Sequence, residues 1–262
     1  MEKSERRVSG WERHHVEVSE AETRSNDRIR DLTKESALGV NGARDDVAFD
    51  CEQVDLIEKL DKQGIDRYRF SDTGEAIGGI DLIRAARAVA DLLDALGVNR
   101  ESESLAGTPD RVARAYAELL TPVPFEATWF PNDDAYNELV LARDIPFSSL
   151  CEHHLLPFTG VAHVGYLPAK RLLGLSKLAR VVTHYSHRLQ VQERLTQQVA
   201  DWLMAALDPK GVGVVLVAEH TCTSIRGVRA TGARTVTSAL AGSVRDDQRT
   251  RSEFMSLVGH SA

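Results

Sequence analysis

The sequence predicts an α+β protein built on an antiparallel sheet. Strand-like segments come in groups separated by helical ones, without the regular βαβ alternation of a parallel sheet. Several stretches repeat apolar residues at steps of three and four, which is typical of amphipathic helices, and residues 212–218 form a continuous apolar run of strand length. A chain of 262 residues with 42% apolar content can bury a substantial core.

Two helices are predicted in the first half of the chain. The first covers residues 80–96, whose apolar side chains have helical spacing, and Gly97 is a suitable stop. Thr108 and Pro109 predict an N-cap and a first helical residue, and they open a second helix that reaches Leu120.

The second half is predicted to supply the sheet. Residues 139–147 and 161–167 are expected to be strands flanking a loop that carries Cys151. The remaining expected elements are helices at 175–187 and 193–207, a strand at 212–218, two strands or one bent strand within 226–241, and a last helix at 246–257.

Residues 1–55 are expected to form a charged extension that is disordered or loosely attached. Of the first 50 residues, 9 are Lys or Arg and 12 are Asp or Glu, which leaves few large apolar side chains to offset the cost of ordering the backbone. We interpret residues 56–77 as a linker and 78–262 as the folded domain.

Composition argues against several classes of protein. A net charge of −7 disfavours a nucleic-acid partner or a polybasic membrane anchor. No apolar run approaches the ~20 residues needed to cross a bilayer, and residues 1–40 lack the apolar core of a signal peptide. With three cysteines, too few for a disulfide framework, the chain is expected in a reducing cytoplasm.

Two motifs combine thiols and imidazoles. Cys151 and His154 have the short spacing that lets one turn hold an ion, and Cys222 could complete a Cys2His set with an open fourth position, as in catalytic zinc sites. His153 and His220 are then left for proton transfer. A Cys151–Cys222 disulfide and a purely structural role are the alternatives. The H-x-E and P-C-x-x-C signature of a zinc nucleobase deaminase is absent.

Basic residues near expected helix starts suggest an anionic substrate. Zinc hydroxide chemistry favours hydrolysis at an electrophilic carbon, and a local positive pocket would suit a polyphosphate. The residues proposed for this pocket are Ser176, Lys177, Arg180, Arg226, Arg111 and Arg114. Gln192 and Glu193 open a helix, where a carboxylate is either a favourable dipole partner or an acceptor for a guanine edge.

Six ordered motifs over about residues 78–258 closely resemble the GTP cyclohydrolase I family. They are TPDRVA (108–113), SLCEHHLLPF (149–158), GLSKLAR (174–180), QVQERLT (190–196), EHTC with RGV (219–228) and ARTVTS (233–238). The resemblance implies conversion of GTP to 7,8-dihydroneopterin triphosphate with loss of C8 as formate, an early step of tetrahydrofolate and pterin biosynthesis.

The resemblance also implies a role for each residue. Zn²⁺ would be bound by Cys151, His154 and Cys222, while His220 would handle protons at N7 and His153 those at the ribose oxygen. Glu193, with the backbone near Gln192, would anchor guanine. The triphosphate would be held by Lys177, Arg180, Arg226, Arg111 and Arg114, with Ser176 near the ribose and phosphate.

The fold implied is the tunnelling fold, with helices on one face of an antiparallel sheet. Family members form toroidal pentamers that pair as a homodecamer, with active sites between subunits. Two alternatives remain: a tunnelling-fold relative acting on another pterin or deazapurine, and a non-catalytic scaffold stabilised by zinc.

Overall fold

The computed structural model describes residues 69–70, 76–77 and 79–259. The expected charged extension, residues 1–55, and Cys51 lie outside the described residues. Within the segment predicted as a linker, strands β1 (Arg69–Phe70) and β2 (Ala76–Ile77) pair antiparallel. Across the described part of the chain, no helix has both the length and the apolar character required to cross a membrane.

The remaining elements alternate between strands and helices. In chain order they are α1 (Leu82–Ala95), α2 (Thr108–Leu119), β3 (Trp129–Pro131), β4 (Val140–Cys151), β5 (Pro157–Leu167), β6 (Arg171–Leu173), α3 (Leu175–Ser186), β7 (Leu189–Gln190), α4 (Gln192–Leu207), β8 (Gly211–His220), α5 (Thr221–Ser224), β9 (Thr235–Gly242), α6 (Ser243–Asp246) and α7 (Gln248–Gly259). This content confirms the α+β class.

The main sheet has five strands in the order β7-β4-β5-β8-β9. All neighbours are antiparallel except β7, which runs parallel to β4. The sheet is therefore mixed rather than purely antiparallel. Between β4 and β7 the chain passes through β5, β6 and helix α3, and such a long helical connection lets it return parallel to its starting strand.

Helices cover both faces of this sheet, whereas one face was expected. Successive strand residues point to opposite faces. On β8, Val214 packs into the core that contains Leu195, Val199 and Leu203 of α4. Val215 points the other way, into a smaller core with Phe254 of α7. The two C-terminal helices α6 and α7 thus add a second, smaller layer.

Three boundaries differ from the sequence predictions. Strands β4 and β5 extend to the turn at residues 152–156, because their pairing continues to Leu150 opposite Pro157. Thr108 is the first residue of α2 rather than its N-cap, and its hydroxyl accepts a hydrogen bond from Arg111 at 2.9 Å. Of the two alternatives for 226–241, the structure has one strand, which begins only at Thr235 because the preceding residues form turns, with Gly227 and Gly232 at positive φ.

We expect His163 on β5 to make stability depend on pH. Its ring is buried, and Nδ1 accepts a hydrogen bond from the Asp144 amide at 3.4 Å, so the neutral form is native. Burial lowers the pKa of His163 below its ordinary value of 6.5, although Asp144 opposes this. Below about pH 6.5 the imidazole binds a proton in the unfolded chain more readily than in the folded one. The contribution of His163 to the free energy of unfolding is therefore complete above about pH 6.5, and it decreases as pH falls toward the pKa of the folded state.

The measurement is the midpoint of thermal unfolding of wild type and His163→Asn between pH 7.5 and 5. The wild type should lose more stability over this range than the variant, because the unfolded chain of the variant has no imidazole to protonate at this position. Parallel curves for the two proteins would show that His163 does not contribute to the pH dependence.

Candidate active site

The two thiols lie close together because β5 pairs with both β4, which ends at Cys151, and β8, which ends just before Cys222. Cys151 is the last residue of β4, and Cys222 lies in α5, directly after β8. Strand β5 pairs with both β4 and β8, and its residue Phe158 lies opposite His220. At Gly160 the backbones of β5 and β8 approach so closely that a Cβ would overlap the Val217 carbonyl oxygen. Pairing in the sheet therefore joins the two sequence motifs.

The resulting cluster could hold one metal ion. Ligand atoms of Cys151, Cys222 and His220 all lie within 4.8 Å of one another. Both cysteines are free and buried, so the structure contains no disulfide between them. The sequence assigned His154 rather than His220 to the metal. His154 lies outside this group, but its Nδ1 is 3.6 Å from Cys151 Sγ.

The Cys151–His154 distance is that of two ligands of one ion. Zinc bonds of ~2.3 Å to sulfur and ~2.0 Å to nitrogen, at a tetrahedral angle, place the two ligand atoms about 3.5 Å apart. The structure therefore offers two histidines to the thiol pair, one beside Cys151 and one at the end of β8.

The turn that carries His154 is held from several sides. The Cys151 carbonyl oxygen accepts hydrogen bonds from the amides of His154 and Leu155 at 3.3 and 2.9 Å. Leu155 has φ of 55°, in the left-handed region. Its carbonyl oxygen accepts a bond of 2.8 Å from the Tyr116 hydroxyl. Helix α2 thus holds the turn in place through Tyr116. In this turn the side chains of Cys151 and His154 lie next to each other.

The surroundings of Cys222 favour the protonated form of its thiol. Burial raises the pKa of the Cys222 thiol, and the neighbouring Cys151 raises it further, whereas Arg226 lowers it. Metal ligation requires the thiolate form, so a divalent cation that binds Cys222 must displace the proton of this thiol. Two thiols with imidazole nitrogens form a donor set that suits zinc.

His220 is held by contacts on its face and its edge. Its ring stacks on Phe158, with centroids 4.4 Å apart and planes 4° from parallel. Its Nε2 lies 2.8 Å from Gln192 Oε1. Burial lowers the pKa of His220, and the carboxylate of Glu193 opposes that shift. The expected site residues Gln192, Glu193 and His220 are therefore brought together.

His153 is exposed, unlike His220, and its polar neighbour is Glu152. Its Nε2 lies 3.6 Å from Glu152 Oε1, and Arg194 donates a bond of 2.6 Å to the other carboxylate oxygen. The sequence reasoning did not assign a role to Glu152, Arg194 or Phe158. All three lie inside the family motifs, and this was the sequence signal that could have identified them.

The basic residues lie on or beside helices, and all are exposed except Lys177, which is half-buried. Ser176 and Lys177 lie in the first turn of α3, with Arg180 one turn later. Within the range 79–259, no hydrogen bond or ion pair joins these three side chains to the thiol pair. The others are Arg111 and Arg114 on α2, and Arg226 after α5. The Arg111 guanidinium bonds Thr108 Oγ1 and the Ser104 carbonyl oxygen, and Arg226 acts electrostatically on Cys222.

An α+β fold with thiols and imidazoles gathered at its strand ends defines a protein with a site suited to a metal ion. Residues 85–259 match the family model for GTP cyclohydrolase I, so the chain belongs to this family of enzymes. The resemblance noted in the six motifs is thereby confirmed.

Named relatives agree with this assignment. GTP cyclohydrolase 1 of Thermoanaerobacter pseudethanolicus is 51% identical over 184 residues, covering 68% of this chain and 97% of that protein. The Thermobifida fusca protein of the same name is 50% identical over 198 residues, covering 73% and 96%. That of Aquifex aeolicus is 50% identical over 179 residues, covering 68% and 97%.

Proposed function

We propose that the chain converts GTP to 7,8-dihydroneopterin triphosphate and formate, with zinc as its metal. The observation that carries the proposal is the cluster at the start of β5, where two free thiols, His154 and His220 lie close together in a chain of the GTP cyclohydrolase I family. A zinc ion held by these residues would supply the Lewis acidity needed for hydrolysis at C8 of guanine.

Cys151, His154 and Cys222 are the proposed zinc ligands. The 3.6 Å contact between Cys151 Sγ and His154 Nδ1 has the spacing of a ligand pair. His220 is stacked on Phe158 and hydrogen bonded at Nε2, which leaves its Nδ1 for the proton transfer proposed for it. Two thiols and one imidazole would be the donor set of a catalytic rather than a structural zinc site.

His220 and His153 are the proposed proton carriers. The C8 atom of a purine is a poor electrophile until N7 is protonated, which is the task proposed for His220. Glu193 favours the charged imidazole and burial favours the neutral one, a balance that suits a group that must hold and release a proton. The exposed His153 serves the ribose oxygen and ring-opening steps, where it can exchange protons with solvent.

Glu193 and the basic residues are the proposed substrate contacts. The Glu193 carboxylate, aided by the backbone near Gln192, accepts hydrogen bonds from the guanine edge. Ser176, Lys177 and Arg180 place a hydroxyl and two cations at the start of α3, where free amides also favour anions. Arg226, Arg111 and Arg114 complete the triphosphate site, whose binding energy orients guanine without entering the reaction.

We also propose a homodecamer of two pentamers with active sites between subunits. Strand β9 is an edge of the main sheet, and Val236 on it is 63% exposed. Ile225 and Val228, just after the Cys222 motif, are 68% and 79% exposed. Exposed apolar residues beside a site indicate an interface. Light scattering should give about ten times the chain mass of 28.9 kDa, and a monomer would contradict the assembly.

Turnover of GTP is the direct test of the proposed reaction. Zinc-replete protein should release formate and, after oxidation and dephosphorylation of the product, give fluorescent neopterin. Guanosine should be a very poor substrate, because it lacks the triphosphate that the basic residues bind. Zinc-replete protein that leaves GTP unchanged would exclude the reaction, and equal turnover of guanosine would exclude the triphosphate site.

Metal analysis of purified variants distinguishes the role proposed for His154, a zinc ligand, from that proposed for His220, a proton carrier. His154→Ala and Cys222→Ala should lose most of the bound zinc, because each removes a ligand. His220→Ala should keep zinc while turnover falls by roughly 10²-fold or more, since a proton carrier is lost. Cys51→Ala is the control thiol variant and should keep both. Zinc loss in His220→Ala with retention in His154→Ala would reverse the assignment of the two histidines.

A further inference from the structure

We propose that the Gln192 side chain is a positioning residue that fixes which nitrogen of His220 carries its proton. This goes beyond the substrate contact assigned to the backbone near Gln192, and it rests on the proposed function of His220. The side chain is 1% exposed, at the first residue of α4. The polar contacts of its side chain are to Leu216, Thr235, Thr237 and His220, so its orientation follows from what these groups can donate and accept.

Three acceptors determine the orientation of the Gln192 amide. Its Nε2 lies 3.1 Å from the Leu216 carbonyl oxygen, 3.0 Å from that of Thr235 and 3.1 Å from Thr237 Oγ1. Carbonyl oxygens only accept hydrogen bonds. A flipped amide would bring its oxygen against two carbonyl oxygens, so the nitrogen must face them.

The neighbouring hydroxyls agree with this orientation. Thr196 Oγ1 donates to the Gln192 carbonyl oxygen at 2.7 Å. Its 2.6 Å contact with Thr237 must therefore be donated by the Thr237 hydroxyl. Thr237 Oγ1 is then an acceptor toward Gln192, like the two carbonyl oxygens. Each hydroxyl in this network has one acceptor, and the two protons of Gln192 Nε2 are shared among its three acceptors.

The remaining atom of the amide, Oε1, faces His220. An amide oxygen only accepts, so the 2.8 Å contact requires a proton on His220 Nε2. The neutral ring then has its lone pair on Nδ1. Phe158 stacks on the ring at 4.4 Å, and this packing opposes the rotation that would exchange the two nitrogens. Gln192 and Phe158 together select one tautomer in one orientation.

This selection serves the proton transfer proposed for His220. Only Nδ1 can take a proton from, or return it to, a purine nitrogen. Oε1 accepts from Nε2–H whether the ring is neutral or charged, so Gln192 need not move during the cycle. Glu193 follows directly on α4, so the start of one helix places both the guanine anchor and the proton carrier.

The matched test compares two buried glutamines in the full-length, zinc-replete protein. Gln192→Met keeps the side-chain length and removes the bond to His220. Gln190→Met is the control, since Gln190 is equally buried and its side chain bonds the Tyr185 carbonyl oxygen and Gln198 rather than His220. Gln192→Met should lower kcat for GTP about 10- to 100-fold with little change in KM and zinc content, because a misplaced tautomer impairs the proton step. The control should keep kcat.

A spectroscopic measurement reports the tautomer without turnover. Nitrogen NMR of sedimented protein labelled with ¹⁵N-histidine, with the His220 signals assigned by their loss in His220→Asn, should show Nε2 protonated in the wild type and a changed tautomer ratio in Gln192→Met. Protonation at Nδ1 in the wild type, or an unchanged spectrum and kcat in Gln192→Met, would overturn the proposal. Wild-type protein that shows the expected tautomer but does not turn over GTP would refute the proposed function instead.

Discussion

Strand β5 is the element on which the site depends, because it hydrogen bonds to β4 on one side and to β8 on the other. Cys151 and Cys222 are 71 positions apart in the chain. Neither of their short motifs can assemble a metal site alone. The cost of closing this long loop is met by the buried sheet and its two apolar layers, so the thiols meet as a consequence of folding.

The site has side chains held in fixed positions and a thiol, Cys222, that is buried where its charged form is unfavourable. The turn after Cys151 is held by backbone hydrogen bonds and by Tyr116, and His220 is held by stacking and by an amide. Cys222 is buried beside Cys151, and both factors raise the pKa of the Cys222 thiol and favour its protonated form. A bound cation relieves this conflict, because it stabilises both thiolates. Metal affinity and fold stability are thereby coupled in this region.

Local patterns predicted much of this structure. Apolar spacing located the long helices, and the Cys151 and Cys222 motifs were found because short spacings reflect one turn or one strand end. The end of β4 was missed because Ser148 and Ser149 break the apolar pattern, although Ser149 is fully buried and donates to the Ser186 carbonyl oxygen. Strand β7, two residues long, is too short for any periodicity. The role of the Gln192 side chain depends on partners from β8 and β9, which no local spacing reveals.

The close approach at Gly160 limits how this sequence can vary. A Cβ there would lie 2.6 Å from the Ala218 Cα as well as overlapping a carbonyl oxygen, so any side chain must push β5 and β8 apart. Phe158 and His220 are paired two residues away on the same strands. A random library at position 160 should therefore yield active clones that almost all encode glycine. Selection for activity would act on this residue although it has no functional group of its own.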